Sequence, residues 1–270
     1  MTTFPMGPAL LFCPADRPER FAKAADRADA VILDLEDAVA PGDKDAARRN
    51  LVASDLDPAA TIVRVNPVGS ADFDMDLAAL RQTPYRTLMV AKAEDPAALG
   101  AALADFDVVA LLETALGVVR AAEIAQVPCV TALMWGAEDL MASLGGESSR
   151  HADGSYRAVA QHARASVLLA AGAYGKGAID SIYGSIEDTE GLGVEARDGV
   201  ASGFAAKACI HPGQVPAVRA AYAPSEDEVL YAAELITESE NQGGVFSFRG
   251  QMIDGPLLKQ ARQTLRRAGR

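Results

Sequence analysis

The chemistry of this 270-residue chain is carried by carboxylates that fall just past apolar runs. Glu113 follows Val108-Val109-Ala110-Leu111-Leu112, and Asp139 follows Met134-Trp135-Gly136-Ala137-Glu138. Two carboxylates, with water and ligand oxygens completing an octahedron, make a hard-cation site of the Mg²⁺ type. Either residue alone could instead cap the helix that begins beside it, because acids suit helix N-termini; taken together, the pair favours the metal. Arg64 sits in Ile62-Val63-Arg64-Val65-Asn66. An arginine in an apolar run needs a partner, and its forked donors suit a carboxylate or thioester oxygen of a substrate. The alternative is a buried ion pair with the acids of the preceding run. Those acids, Asp34, Glu36 and Asp37, lie within four residues and repel one another unless cations or hydrogen bonds offset them. Pairing with Arg64 and Lys92 is the preferred reading over a water-mediated place in the metal shell. Lys92 ends a run, as Schiff-base lysines of one aldolase class do, but such acid-rich surroundings would keep it protonated. Arg17, Arg20 and Lys23 are three apart and predict a basic strip on one face of the first helix. That strip could hold the phosphates of a nucleotide-containing cofactor, or be a solvated face with Glu19 paired to Lys23.

The elements that must position these groups are eight short apolar runs, at residues 10–12, 31–33, 62–65, 88–90, 108–112, 130–135, 178–182 and 206–210. Polar residues end nearly all of them, including Asp16, Asp180 and His211. Alanine-rich helical stretches separate most of the runs, which implies parallel βα units. Eight units with polar strand exits predict an α/β fold, a (β/α)₈ TIM barrel with its catalytic face at the C-terminal strand ends. Helices are expected at 43–51, 97–103, 116–125 and 156–171, the last preceded by a polar loop at 145–155 suited to a lid. The first helix is expected to start from an Asp16 N-cap with Pro18 in its first turn. The rhythm stops after His211, which divides the chain into a barrel domain, 1–220, and a C-terminal extension, 221–270. The extension reads as a helix at 225–239, a hairpin or extended arm at 242–254 and a basic helix at 256–267.

The bulk numbers exclude several function classes. A net charge of −12 argues against nucleic acid as a partner. No apolar stretch approaches the roughly 18 residues that span a bilayer, and residues 1–13 lack the pattern of a signal peptide. Cys13, Cys129 and Cys209 are odd in number and scattered, and read as buried thiols of a reducing, cytoplasmic protein. The string Gly191-Leu-Gly193-Val-Glu-Ala196 mimics a dinucleotide fingerprint, but no apolar strand precedes it. His211 reads as a loop-orienting residue, and His151 and His162 as loop and helix-surface residues.

Set side by side, the motifs resemble one family. They are Leu11-Phe-Cys-Pro-Ala-Asp-Arg-Pro-Glu-Arg-Phe-Ala-Lys23, Val31-Ile-Leu-Asp-Leu-Glu-Asp-Ala-Val39, Arg64-Val-Asn66, Glu113-Thr114, Trp135-Gly-Ala-Glu-Asp-Leu140, Cys209-Ile-His-Pro212 and Gly250-Gln-Met-Ile-Asp254. Together they are similar to the citrate lyase beta subunit-like proteins of the HpcH/HpaI aldolase and citrate lyase superfamily, which includes malyl-CoA and citramalyl-CoA lyases. The resemblance implies a Mg²⁺-dependent carbon–carbon lyase acting on a 3-hydroxyacyl-CoA thioester. It implies Glu113 and Asp139 as metal ligands, Arg64 as catalytic and substrate-holding, and Phe12, Arg17 and Lys23 as coenzyme A contacts. It also implies that Asp254 is a catalytic acid or base delivered by a neighbouring subunit of a homotrimer, or of a hexamer. Thioester hydrolysis, malate synthase-like condensation and a carrier-protein-dependent subunit are the alternatives it leaves open.

Overall fold

All eight apolar runs become strands in the computed structural model, which describes residues 4–269. Residues 1–3 and 270, the outer ends of the two expected domains and the start of the segment read for a leader, lie outside the described residues. The strands are β1 (Ala9–Pro14), β2 (Ala30–Asp34), β3 (Thr61–Val65), β4 (Thr87–Val90), β5 (Asp107–Leu112), β6 (Val130–Trp135), β7 (Gly177–Asp180) and β8 (Ala206–Cys209). They pair in parallel in sequence order, and β8 returns to β1 to close the barrel. The expected (β/α)₈ barrel is therefore the fold. Its strands are almost fully buried because the barrel interior takes one set of alternate side chains and the helices cover the other. Leu10, Ile32, Ile62, Met89, Val109, Leu111, Met134 and Ile179 fill the interior.

Between strands run α1 (Phe21–Ala25), α2 (Lys44–Val52), α3 (Ala71–Leu80), α4 (Pro96–Leu103), α5 (Ala115–Val119), α6 (Ala121–Ala125), α7 (Ala137–Ser143), α8 (Ala158–Ala173) and α9 (Thr189–Ser202), and α10 (Val215–Tyr222) follows β8. Two expectations need correction. The 116–125 helix is two helices, because Arg120 leaves helical geometry with ψ of 11°. The first helix does not start from an Asp16 cap. A turn closed by Arg17 N–H to Pro14 C=O (3.1 Å) ends β1 first, a 3₁₀ turn (Pro18–Arg20) follows, and the N-cap is Arg17 without a side-chain bond. Arg17, Arg20 and Lys23 thus lie on a turn, a 3₁₀ turn and an α-helix rather than along one α-helical face. Among the described residues, no helix is long and apolar enough to cross a membrane.

The chain divides into two compact units, Met1–Val218 and Arg219–Arg270. In the second, α11 (Glu226–Glu240) opens with a reciprocal capping box between Ser225 and Glu228. A hairpin of β9 (Phe246–Phe248) and β10 (Gln251–Ile253) turns at Arg249 and Gly250, both with positive φ as a tight two-residue hairpin turn requires. Asp254 then caps α12 (Gly255–Arg267), and Ala232, Leu235, Ile253 and Ala261 form this unit's own core.

Candidate active site

Side-chain alternation sorts the polar strand ends. Along each strand, successive residues point to opposite faces, so the interior-facing parity can be read from the core and extended past the strand's end. Leu10 predicts Phe12 inward, Ile32 predicts Asp34 and Glu36, Ile62 predicts Arg64, and Leu111 predicts Glu113. Asp180 and Lys207 have the opposite parity, because their neighbours Ile179, Ala206 and Ala208 face the interior. Both are fully buried between barrel and helices, where Asp180 accepts from Trp135 Nε1 (2.7 Å) and Arg164 Nη2 (2.9 Å) and lies 3.6 Å from Lys207 Nζ. Asp180 is thus part of the scaffold, and three of the inward residues, Phe12, Asp34 and Glu36, gather around the guanidinium of a fourth.

Arg64 is that guanidinium, and both sequence readings of it meet in one geometry. Register places Asp34 directly beside it on β2, and the pair is a two-pronged ion pair, with Arg64 Nε donating to Asp34 Oδ1 at 2.7 Å and Nη2 donating to Asp34 Oδ2. Nη1 lies 3.0 Å from Glu36 Oε2, and the Phe12 ring covers the group at 4.9 Å. Burial works against the arginine's charge, but Asp34 first and Glu36 after it raise its pKa above the ordinary value. The charge is therefore fixed in place, held on one side by carboxylates and on the other by an aromatic face. A second layer holds the chain that carries Glu36. Asn66 Nδ2 donates to Leu35 C=O (3.0 Å) and Asp76 (2.6 Å), Lys44 Nζ donates to Asn66 Oδ1 (2.6 Å), and Arg48 Nε donates to Asp76 (2.8 Å). Asn66 stands out in the sequence by position alone; Lys44, Arg48 and Asp76 carry no sequence signal because they lie on α2 and α3, away from the strand ends.

Glu113 and Asp139 reach the same mouth from β5 and α7. Glu113 is only 3 % exposed, and it does not cap α5, whose N-cap is Thr114 bonding Gly117 N–H. Burial, and secondarily the facing Asp139 charge, push its pKa up to about 8. Asp139 lies in the first turn of α7, whose N-cap Gly136 offers no side chain. Gly136 is required by space: a Cβ there would stand 2.7 Å from Glu113 Cβ and 2.8 Å from Glu113 Oε2. Among the described residues no cluster of three or more His, Cys, Asp or Glu is arranged around a metal. Two mutually repelling carboxylates, one buried, do fit a hard cation that takes its remaining oxygens from water and ligand. Glu113 and Asp139 are the residues that could hold it.

The sequence reads Lys92 as a counter-charge to the acids, and the structure places it among four of them. Met89 faces the barrel, so strict alternation would turn Lys92 outward. Its φ of 49° breaks the alternation and swings it over the mouth; such a conformation costs a non-glycine residue on the order of 1–3 kcal/mol. Its N–H donates to Glu113 Oε1 at 3.0 Å, and its ammonium meets Glu36, Asp37 (2.9 Å) and Asp139 (3.5 Å). Burial opposes its charge, but hydrogen bonds to Glu36 and Asp37 raise its pKa, and Lys92 in turn holds Asp37 below the usual carboxylate range against the effect of burial. The network reading of the three acids therefore holds, and a Schiff-base role is disfavoured. The coenzyme A candidates are dispersed: Phe12 is in the mouth, Arg17 is 56 % exposed and faces Asp16 at 3.4 Å, and Lys23 is exposed on α1. Asp254 belongs to the second unit, where its Oδ1 accepts from Leu257 N–H at 3.5 Å.

Residues 9–212 match the family model described as HpcH/HpaI aldolase/citrate lyase. The chain is 54 % identical over 263 residues to a citrate lyase subunit beta-like protein of Mycobacterium tuberculosis, covering 97 % of this chain and 96 % of the relative. It is 33 % identical to human mitochondrial citramalyl-CoA lyase (95 % and 84 % covered). It is 35 % identical to the (3S)-malyl-CoA thioesterase of Cereibacter sphaeroides (96 % and 94 % covered). Among solved structures, protein CitE from Mycobacterium tuberculosis in complex with magnesium, acetoacetate and coenzyme A superposes with a TM-score of 0.93 at 54 % identity, covering 98 % of this chain and 99 % of that one.

Proposed function

The chain belongs to the HpcH/HpaI aldolase/citrate lyase family, and we propose that it is a Mg²⁺-dependent lyase that cleaves a 3-hydroxyacyl-CoA thioester of the citramalyl-, malyl- or citryl-CoA type to acetyl-CoA and an oxo acid. The observation that carries this reading is the meeting, at one barrel mouth, of a repelling carboxylate pair and a clamped, unidirectional arginine. Glu113 and Asp139 would hold Mg²⁺, which when bound supplies Lewis-acid polarisation of the substrate's oxygens.

The chain's own residues account for the rest. In retro-Claisen cleavage the C3 hydroxyl loses its proton, its electrons form the carbonyl of the oxo acid, and the C2–C3 bonding pair moves into the thioester as an enolate. Arg64, fixed by Asp34 and Glu36, presents its remaining N–H groups without reorganisation, which suits it to the enolate oxygen. The Phe12 face and the apolar barrel core beneath would exclude water from that side. Arg17 and Lys23 would neutralise the phosphates of coenzyme A from the turn and α1. Asp254, in the 219–270 unit of a neighbouring copy in a homotrimer or hexamer, would take the C3 hydroxyl proton as base and return it to the enolate carbon as acid. Its position on a hairpin–helix arm with a core of its own supports this role. Cys13, Cys129 and Cys209 are buried and form no disulfide among the described residues, which suits a cytoplasmic setting.

Incubation of the pure chain and Mg²⁺ with citramalyl-CoA, malyl-CoA and citryl-CoA, with identification of products, tests the reading. Acetyl-CoA plus an oxo acid is expected; free acid plus coenzyme A would instead give the hydrolysis favoured by the likeness to the thioesterase. Asp139→Ala should abolish metal-dependent turnover, and unchanged activity would overturn the assignment. Mixed oligomers of Asp254→Ala and an Arg64 variant should regain activity if neighbouring chains share sites; no recovery counts against sharing.

A further inference from the structure

Lys92 has features that a passive surface cation would not need. Its backbone is held in the left-handed region, φ 49°, and this brings one residue into contact with both candidate cation-binding carboxylates. The N–H reaches Glu113 Oε1 (3.0 Å), while the ammonium lies 3.5 Å from Asp139 Oδ1 and also bonds Glu36 and Asp37. Around this point stand five carboxylates, Asp34, Glu36, Asp37, Glu113 and Asp139, against two cations, Arg64 and Lys92. Arg64 is committed to the Asp34–Glu36 side, so Lys92 is the counter-charge on the side of Asp139.

From this geometry we infer that Lys92 is a positioning residue that sets the affinity of the cation site, acting as a built-in counter-ion that weakens divalent binding to the substrate-free protein. The inference rests on the metal reading of Glu113 and Asp139. The ammonium shares Asp139 with any cation bound there and repels it, while the N–H keeps the Glu113 carboxylate aimed. An enzyme that must release products benefits from a cation that is held firmly only when substrate oxygens join the shell. A merely structural role predicts the opposite sign, because loosening the acids would weaken cation binding.

The test is calorimetric titration of the full chain with Mn²⁺ or Mg²⁺ alone, without substrate, alongside circular dichroism to verify folding. Lys92→Met and Lys92→Gln are expected to tighten cation binding by on the order of tenfold, a figure discounted for the partial solvent access of the side chain. Lys92→Gln keeps donors for Glu36 and Asp37, so it decides the matter even where the methionine variant folds poorly. Lys92→Arg, which restores the charge, should return to within about twofold of the parent. Equal or weaker cation binding in the folded neutral variants overturns the inference. Asp139→Asn is titrated in parallel: if it still binds the cation, the metal reading itself fails, whereas loss of binding there with unaltered Lys92 variants removes only the role given to Lys92.

Discussion

Replacing Gly136 by alanine adds one carbon at the point where β6 hands over to α7, and the structure gives the size of the disturbance. The new Cβ would meet Glu113 Cβ at 2.7 Å, and ordinary contact begins near 3.4 Å, so the two chain segments must part by about 0.7 Å. Rotation of Glu113 cannot relieve this, because the nearest atom is the first carbon of its side chain. Alanine has no difficulty with the backbone itself, since φ is −120° and ψ is 120°. The strain therefore falls on the spacing between Glu113 and Asp139. A misplacement of about 1 Å at a reacting centre costs roughly a hundredfold; for this displacement the expected loss in kcat/KM is about ten- to a hundredfold, or ~1.4–2.7 kcal/mol of transition-state stabilisation. Overpacking should lower folding stability by about 1–3 kcal/mol, seen as a lower Tm, without unfolding the barrel. Steady-state kinetics at saturating Mg²⁺, calorimetric Mg²⁺ titration and thermal melts measure the three effects. Gly172→Ala is the control, because nothing lies within 4 Å of a Cβ at that helical position. If Gly136→Ala keeps kcat/KM and Mg²⁺ affinity within twofold of the parent, the spacing of this carboxylate pair does not govern the site.

Three further outcomes are expected. Asp34→Asn removes one charge from the two-pronged clamp on Arg64; KM for the thioester should rise by roughly tenfold, in keeping with the loss of a charged hydrogen bond, and an unchanged KM would show that Arg64 needs no such anchor. Lys207→Met strips the ammonium from a site with no solvent exposure, leaving Arg164 as the cation that still pairs with Asp180; denaturant unfolding should show a loss of about 3–5 kcal/mol, as for other broken buried pairs. The pH dependence of stability should follow Asp180, whose burial alone would raise its pKa but whose partners Lys207 and Arg164 depress it below 3.8. A depressed carboxylate contributes stability that is present above the unfolded-state pKa and lost as pH falls through the folded-state one, so Asp180→Asn should flatten the acid limb of an unfolding-versus-pH curve below about pH 4.

Much of this architecture is legible in the order of residues. Eight apolar runs with polar exits become the eight strands, since a parallel strand buried on both faces must be apolar throughout. The acids Asp34, Glu36 and Asp37 demand compensation from charge alone, and they receive it from the two cations named for it, Arg64 and Lys92. The first helix does not start at Asp16, because a capping residue type is a local preference, whereas the turn that closes β1 is set by where β2 lies. Likewise 116–125 has unbroken helical composition, and only the backbone at Arg120 divides it.

What the sequence determined by itself was the strand count, the end of the barrel where polar strand exits collect and the residue types available there, because burial and alternation are short-range properties of the chain. Which exits converge was decided only in three dimensions. Asp180 and Glu113 look alike as acids after apolar runs, yet the parity of one residue sends Asp180 to the helix layer and Glu113 to the mouth. Lys92 defies even parity, through a single backbone angle that its contacts with four acids hold in place. Such an angle is affordable only when distant strands have already brought those acids together, and no local pattern in the chain records that.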